Sequence, residues 1–332
     1  MTGDDDTTGG GDFTGHEGAE DYCQACACVL CDGDFTIDSP ADLDAIAACG
    51  SISGELLLDS QGWLTSFNLP CLESVVDLEI SGNDNLASLD GLSNLTSVGD
   101  DLVIELNPSL TNLDGLSSLT SVGRSLSISD NATLATLDGL SSLTSVGNYL
   151  KIWGNDALAG LEGLSGFTSV GDDLDIWGDS LTSLEGLSNL TSVGRDLYIT
   201  GNASLTSLEG LSSLTSVGGS LYIRNNNTLP ALDGPSSLEA VGADLYIAGN
   251  DALSSLQGLS GIETVNGDLT INSHDVLPSL EGLSGIATVN GELAITYNHC
   301  LSQSDALTFA AGVNVGIPPV NVTANGENYP CV

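Results

Sequence analysis

Aromatic and basic side chains recur beside a repeated Leu-x-Ile triplet, and they are the residues best suited to hold a ligand. In a β-strand, the residues one and three places after the leucine point to the side opposite Leu and Ile. In the middle of the chain these positions are Lys151, Trp153, Asp175, Trp177, Tyr198, Thr200, Tyr222, Arg224 and Tyr246. Flat aromatic rings among polar groups suit both sugar faces and protein contacts. Stabilisation between neighbouring strands is the alternative explanation.

An acidic residue precedes glycine in each Leu-x-Gly-Leu segment, and Gln257 replaces it once. We call this set the acidic column: Asp90, Asp114, Asp138, Glu162, Glu185, Glu209, Asp233, Gln257 and Glu281. Like charges ~4.8 Å apart repel by just under ~1 kcal/mol even in water. The column therefore predicts either a well-solvated turn or a line of calcium sites. No other cofactor is predicted.

Cysteines occur only near the two ends of the repeated region. The chain has eight, and none lies between Cys71 and Cys300. An even number in this arrangement favours disulfides and an oxidising compartment. The cluster Cys23-x-x-Cys26-x-Cys28-x-x-Cys31 also has spacing compatible with zinc, so both interpretations stay open.

The charge balance and the missing motifs exclude several classes of function. There are 45 acidic and 4 basic residues, a formal charge of −41. Such a surface repels nucleic acid and anionic membranes, although it can also serve solubility alone. No apolar run is long enough to span a membrane. With three histidines and no nucleophile elbow or phosphate loop, the chain is predicted not to be an enzyme. A polysaccharide-cleaving enzyme using carboxylates alone is the remaining enzymatic alternative.

The Leu-x-Ile triplet repeats every 24 residues from Leu78 to Leu293, except that Leu174 and Leu197 are 23 apart. Within each unit the other apolar residues are spaced three apart, which suits the sides of a coil rather than a helical stripe. One unit is too small to fold alone, so its neighbours must complete the core. The chain is thus predicted to be mainly β: a right-handed parallel β-solenoid of about ten coils with short capping helices.

Two further columns define the register of the coils. Five residues after each leucine stand Asn83, Asn107, Asn131, Asn155, Asn202, Asn226, Asn250 and Asn298, with Asp179 and His274 in two of the places. Asparagine bonds neighbouring backbone, so we expect a structural ladder inside a turn. The second column is Gly99, Gly123, Gly147, Gly171, Gly194, Gly218 and Gly242, followed by Asn266 and Asn290. Glycine replaced only by asparagine predicts a turn with positive φ.

Three segments carry a resemblance to a known family. They are Cys31-Asp-Gly-Asp-Phe-Thr-Ile37, the repeated Leu-Thr-Ser-Val-Gly-x-x-Leu-x-Ile, and Ile295-Thr-Tyr-Asn-His-Cys300. The coil resembles leucine-rich repeats. Roughly from Cys31 to Cys300, the chain is similar to the receptor L-domain, a solenoid of receptor ectodomains. The resemblance implies a disulfide between Cys31 and Cys49 across a short capping helix.

Short helices are predicted to cap both ends of the repeats. Ser39, Pro40 and Gly50 predict a helix over Pro40–Cys49, and a second helix is expected over Ser304–Ala311. Cys300 would then bond Cys331 and tie the tail back. The pairing of Cys23, Cys26, Cys28 and Cys71 stays open.

The expected organisation is an acidic tether at 1–22, a cysteine-rich cap with degenerate coils at 23–77, the solenoid at 78–300 and a cap at 301–332. We expect a non-enzymatic extracellular or cell-surface protein for binding or adhesion, with a protein or glycan ligand. A purely structural spacer is the alternative. Residues 1–20 contain no apolar run, so the favoured expectation is a signal or lipid anchor upstream, with export by another route or an intracellular location as the alternatives. Ligand identity, anchoring and oligomeric state stay open.

Overall fold

Parallel strands stacked in register form a solenoid, as the 24-residue period predicts. The computed structural model describes residues 29–59, 62–318, 320–326 and 331. The predicted tether at 1–22, and Cys23, Cys26 and Cys28, lie outside these residues. Each Leu-x-Ile strand pairs in parallel with the strand of the coil before it and with that of the coil after it. Leu150, for example, aligns with Leu126 on one side and Leu174 on the other.

Each regular coil contributes one long strand and one short strand. The long strands contain the Leu-x-Ile triplet: Leu102–Glu105, Leu126–Ser129, Leu150–Trp153, Leu174–Trp177, Leu197–Thr200, Leu221–Arg224, Leu245–Ala248, Leu269–Asn272 and Leu293–Thr296. The last long strand, Val320–Thr323, has valine in place of both the leucine and the isoleucine. The short strands are Ser97–Val98, Ser121–Val122, Ser145–Val146, Ser169–Val170, Ser192–Val193, Ser216–Val217, Ala240–Val241, Thr264–Val265, Thr288–Val289 and Asn314–Val315. At the N-terminal end the strands are Val29–Cys31, Phe35–Thr36, Cys49–Asp59 and Ser74–Ser81.

A single 3₁₀ turn begins at the acidic column in most coils. These turns are Asp90–Leu92, Asp114–Leu116, Asp138–Leu140, Glu162–Leu164, Glu185–Leu187, Glu209–Leu211, Gln257–Leu259 and Glu281–Leu283. The coil at Asp233 has Pro235 where the others have leucine, and a 3₁₀ turn is not formed there. The side chains of the acidic column are exposed in every coil.

One hydrophobic core runs the length of the solenoid. It extends from Ile37 to Val322, and almost all of its leucines and isoleucines have no exposed surface. Phe167 takes the place of a leucine and is the largest fully buried side chain. Since each buried aliphatic side chain contributes about 1.5–3 kcal/mol, stacked coils stabilise one another through this shared interior.

Hydrogen bonds between successive coils link the asparagine ladder. Asn107, Asn131 and their equivalents are fully buried. The Asn131 Nδ2 group donates to the carbonyl oxygen of Ile104 over 2.9 Å, and Asn131 Oδ1 accepts from the backbone N–H of Asn107 over 3.1 Å. An amide provides donors and an acceptor at once, which is why asparagine can join the turns of neighbouring coils.

The glycine column was predicted to have positive φ, and this prediction is wrong. Positive φ occurs instead directly before the asparagine ladder, where Gly82, Leu106, Asp130, Gly154, Gly178, Gly201, Asn225, Gly249, Ser273, Tyr297 and Ala324 stand. At Gly123 the constraint is space, because an added Cβ would overlap the carbonyl oxygen of Gly99 in the previous coil. Close approach of the two backbones thus explains glycine in that column.

Helix α1 covers Pro40–Ile46, so it ends earlier than the predicted Cys49. Cys49 instead begins the strand Cys49–Asp59, where it aligns with Val29 and forms a disulfide with Cys31. This strand pairs with Val29–Cys31 and Phe35–Thr36 on one side and with Ser74–Ser81 on the other. Its hydrogen bonds and its disulfide override the helical pattern that precedes it.

Helix α2 covers Gln303–Gly312 and begins where the Ser302 hydroxyl accepts from the N–H of Asp305 over 3.0 Å. Cys300 and Cys331 form a disulfide, and Cys71 is disulfide-bonded as well. Neither helix in the described part of the chain has the length and apolarity that crossing a membrane requires.

Candidate ligand-binding face

The in-register strands bring the predicted site residues together on one outer surface. Lys151 aligns with Asp175, and Trp153 with Trp177, while Tyr222 lies between the tyrosines of the coils before and after it. We call this surface the aromatic face: Tyr149, Lys151, Trp153, Asp175, Trp177, Tyr198, Thr200, Tyr222, Arg224 and Tyr246. Its side chains are half-buried or exposed, whereas the leucine and isoleucine between them are buried.

Ring stacking organises the aromatic face. The rings of Trp153 and Trp177 are 4.7 Å apart and 4° from parallel, and those of Tyr198 and Tyr222 are 4.6 Å apart and 1° from parallel. Tyr222 and Tyr246 are tilted at 5.9 Å. These separations follow the ~4.8 Å spacing of strands, and each stack contributes about 0.5–1.5 kcal/mol. The stacks stabilise the solenoid and also present a continuous aromatic surface.

Tyr149 belongs to this surface, although the sequence pattern of residues one and three after leucine did not include it. It stands directly before Leu150, a third position on the outer side of the strand. The Lys151 ammonium lies 4.5 Å from the centre of the Tyr149 ring and 3.7 Å from the Asp175 carboxylate. Strand alternation extended by one residue would have found it.

A second ladder, formed by aspartates directly before the leucines, borders the aromatic face. The backbone N–H of Ser125 donates to Asp101 Oδ1 over 3.0 Å, and the backbone N–H of Asp101 in turn donates to Asp77 Oδ1 over the same distance. Equivalent bonds run from Asp173 to Glu292, with the Ser220 hydroxyl as the acceptor in place of one carboxylate. Part of the acidity of the chain is therefore structural, because these carboxylates receive backbone N–H groups of the next coil. The recurrence of aspartate before leucine was the signal for it.

The tryptophan column stops at Thr200 and leaves a slot. Thr200 aligns with Trp177 in the coil before it and with Arg224 in the coil after it. The short threonine side chain therefore separates an indole from a guanidinium. The cleft is about 580 Å³, within the range of small-ligand sites. Its lining residues are Asp173, Asp175, Trp177, Tyr198, Thr200 and Arg224.

Arg224 differs from the other basic residues in its electrostatic surroundings. Lys151 pairs with Asp175 at 3.7 Å, Arg195 with Asp173 at 3.6 Å, and Arg124 with two aspartates. Among the residues that the structure describes, Arg224 makes no ion pair. Its guanidinium therefore stands at the slot with hydrogen-bonding capacity to spare.

Two neighbours of the slot have shifted pKa values. Burial raises the pKa of Asp175, and the nearby Lys151 ammonium opposes that change. Burial and the adjacent Asp196 carboxylate raise the pKa of Tyr198. The Tyr198 phenol thus stays neutral and donates to Asp196 Oδ2 over 3.2 Å.

A scan against models of known protein families finds no match, and a search of curated protein sequences finds none either. The likeness to L-domains therefore depends on the three sequence segments named above.

The 23-residue coil disturbs the asparagine ladder next to the slot. Its ladder residue is Asp179, whose Oδ1 accepts from the Asn155 N–H over 2.6 Å. Asp179 Oδ2, Asn202 Oδ1 and Thr200 Oγ1 are buried without a hydrogen-bond partner. Burial is the main cause that raises the pKa of Asp179 to about 7, with Asp156 and Asp130 adding to it and hydrogen bonds from Asn155 opposing it.

The acidic column forms an open depression on another side of the coils. Glu185, Glu209 and Asp233 line one part of it. Within the described ranges, no three Asp, Glu, His or Cys side chains are grouped closely enough to hold a metal ion. The solvated-turn interpretation accounts for the exposure of the column, and the geometry adds no support for calcium.

Proposed function

We propose that this protein is a non-enzymatic binding protein that holds a protein or glycan ligand on its aromatic face. The proposal rests on the location of the aromatic side chains. Outward rings occupy successive coils from Leu150 to Leu245, whereas equivalent places in flanking coils hold Val103, Ser127, Thr270 and Ala294. Stabilisation between strands alone would be needed equally in every coil. A patch confined to the middle of one face is typical of an interaction site.

We further propose that the protein works at the cell surface or outside the cell. Disulfides at both ends of the solenoid support this location, because such bonds persist in oxidising compartments. The similarity of the repeats to receptor L-domains points the same way. With a formal charge of −41, long-range electrostatics favour a neutral or basic ligand over an anionic one.

The test replaces Trp153, Trp177 and Tyr222 together by alanine and probes the protein on arrays of glycans and of extracellular protein domains. We expect the triple variant to lose the binding that the unmodified chain shows, with an unchanged far-UV circular dichroism spectrum. The control is the triple variant Val103→Ala, Ser127→Ala and Thr270→Ala. It alters equivalent outward positions in the coils that flank the aromatic face, and it should bind normally.

Each alternative function gives a different result in this experiment. A spacer would retain no ligand on either array. A polysaccharide-cleaving enzyme would release shorter products from the glycans it recognises. Equal binding by the unmodified chain and the aromatic triple variant would exclude the aromatic face as the binding site.

A further inference from the structure

The slot over Thr200 is a missing rung in a stack of flat groups. Trp153 and Trp177 are stacked, Thr200 follows with a small side chain, and Arg224 resumes the column. Because strands lie ~4.8 Å apart, Trp177 and Arg224 are separated by about 9.6 Å. That gap admits one ring with an ordinary stacking distance on each side. Trp177 is 42% exposed, so its indole is available to a ligand.

The walls of the slot differ in chemistry, and the difference selects among flat ligands. The indole offers an apolar, electron-rich face that suits C–H groups. On the opposite wall Arg224 offers N–H donors with no carboxylate among the described residues to receive them. The carboxylates of Asp173 and Asp175 lie along the remaining edge as acceptors. A matching ligand has a ring with C–H groups on its face and both donors and acceptors around its rim.

We propose that the slot binds one pyranose ring of a neutral glycan. The ring stacks on Trp177, and its hydroxyl groups donate to the aspartates and accept from Arg224. This inference rests on the proposed binding function and names its ligand class. Anionic sugars are disfavoured by the overall charge, and a cationic group stacked directly on the Arg224 guanidinium would be repelled by it. An aromatic side chain of a protein would stack equally well, but its C–H rim would offer the Arg224 guanidinium no acceptor.

The test fills the slot. Thr200→Trp extends the tryptophan column through the gap, and Asn272→Trp places the same residue in the same column two coils beyond Arg224, outside the slot. The probes are cellohexaose, laminarihexaose, mannohexaose and chitohexaose, added at up to millimolar concentration and followed by tryptophan fluorescence and calorimetry. Circular dichroism and thermal unfolding check that both variants fold.

We expect at least one oligosaccharide to bind the unmodified protein and Asn272→Trp equally, and to bind Thr200→Trp at least about tenfold more weakly, since one ring stack is lost. If Thr200→Trp does not fold, Trp177→Leu removes the stacking wall without filling the slot, and the same loss is expected. Arg224→Leu should weaken binding as well, because it removes the donors of the opposite wall.

The results separate this inference from the broader proposal. Undiminished oligosaccharide binding by Thr200→Trp or by Trp177→Leu would overturn the proposal that the slot is the glycan site. The broader proposal of binding on the aromatic face would still hold if the alanine triple variant loses binding. If none of the four oligosaccharides binds at millimolar concentration, the glycan inference is wrong. A protein-domain ligand lost in the alanine triple variant would then still support the proposed function.

Discussion

Asp179 takes the place of an asparagine in the ladder, and a carboxylate cannot make the same hydrogen bonds as an amide. Elsewhere the ladder Nδ2 group donates to carbonyl oxygens of the backbone and, in most coils, reaches the Oδ1 of the next asparagine. At Asp179 an oxygen stands there instead, and both Asp179 Oδ2 and Asn202 Oδ1 lack partners. A buried ion without such bonds is unfavourable, so protonation is favoured.

The stability of the folded chain should therefore depend on Asp179 and pH. Its folded pKa of about 7 lies above the ordinary 3.8. Since the folded state holds the proton more tightly, the contribution is fully present below pH 3.8. It is lost as the pH rises to about 7, by on the order of 4 kcal/mol in total. Asp179→Asn should thus stabilise the protein, and its advantage should grow by about 2–3 kcal/mol between pH 5 and pH 8.

Urea unfolding of both proteins at several pH values measures this advantage. Asp84→Asn is the matched control, because Asp84 is exposed and follows the ladder residue Asn83, four coils away from Asp179. It removes one charge without repairing the ladder, and we expect little change in stability with pH. An advantage of Asp179→Asn that is the same at pH 5 and pH 8 would contradict the assignment.

At the scale of elements, the 3₁₀ turns stack closely enough to explain why glycine follows the acidic column. A Cβ added at Gly139 would overlap the carbonyl group of Leu113 in the previous coil, and Gly115 and Gly163 face the same restriction. The φ angles of these glycines are not positive. Glycine is required here by the contact between coils and not by the conformation of one residue.

Gly139→Ala should therefore destabilise the solenoid by about 1–3 kcal/mol, because the backbones of two coils must separate to admit the methyl group. Gly312→Ala is the control: nothing lies within 4 Å of a Cβ at that position. The midpoints of urea unfolding measure both effects. Equal stability of the two variants would show that the coils can move apart without cost.

Across the whole molecule, the acidic charge has a structural part and a solvated part. The aspartate ladder receives backbone N–H groups, whereas the acidic column is exposed and has no hydrogen bonds of that kind between coils. With a formal charge of −41, repulsion opposes the compact state over distances that salt screens. The described part of the chain has few basic residues to offset it, and three of them already have carboxylate partners.

The melting temperature should consequently rise when sodium chloride screens this repulsion. Calcium and magnesium at equal ionic strength should raise it by similar amounts, because the described carboxylates form no group that could hold a metal ion. Differential scanning calorimetry of chelator-treated protein in each salt measures the effect. A rise specific to millimolar calcium would restore the calcium interpretation of the acidic column.

The sequence by itself determined the repeat, the parallel stacking and the outward position of most of the aromatic face, because these follow from local alternation and a constant period. The same period placed the asparagine ladder in a turn. The positive φ of the residue directly before each ladder position was not predictable, since Leu106 and Tyr297 adopt that conformation against their own preference.

Only the tertiary structure decided how successive coils contact one another. It showed that Gly123 is required by the nearness of Gly99, that α1 ends at Ile46 before the strand Cys49–Asp59, and that Thr200 opens a slot between Trp177 and Arg224. Each of these depends on which side chains of different coils become neighbours. A period read along the chain aligns those residues, but the space between them exists only when the coils are packed.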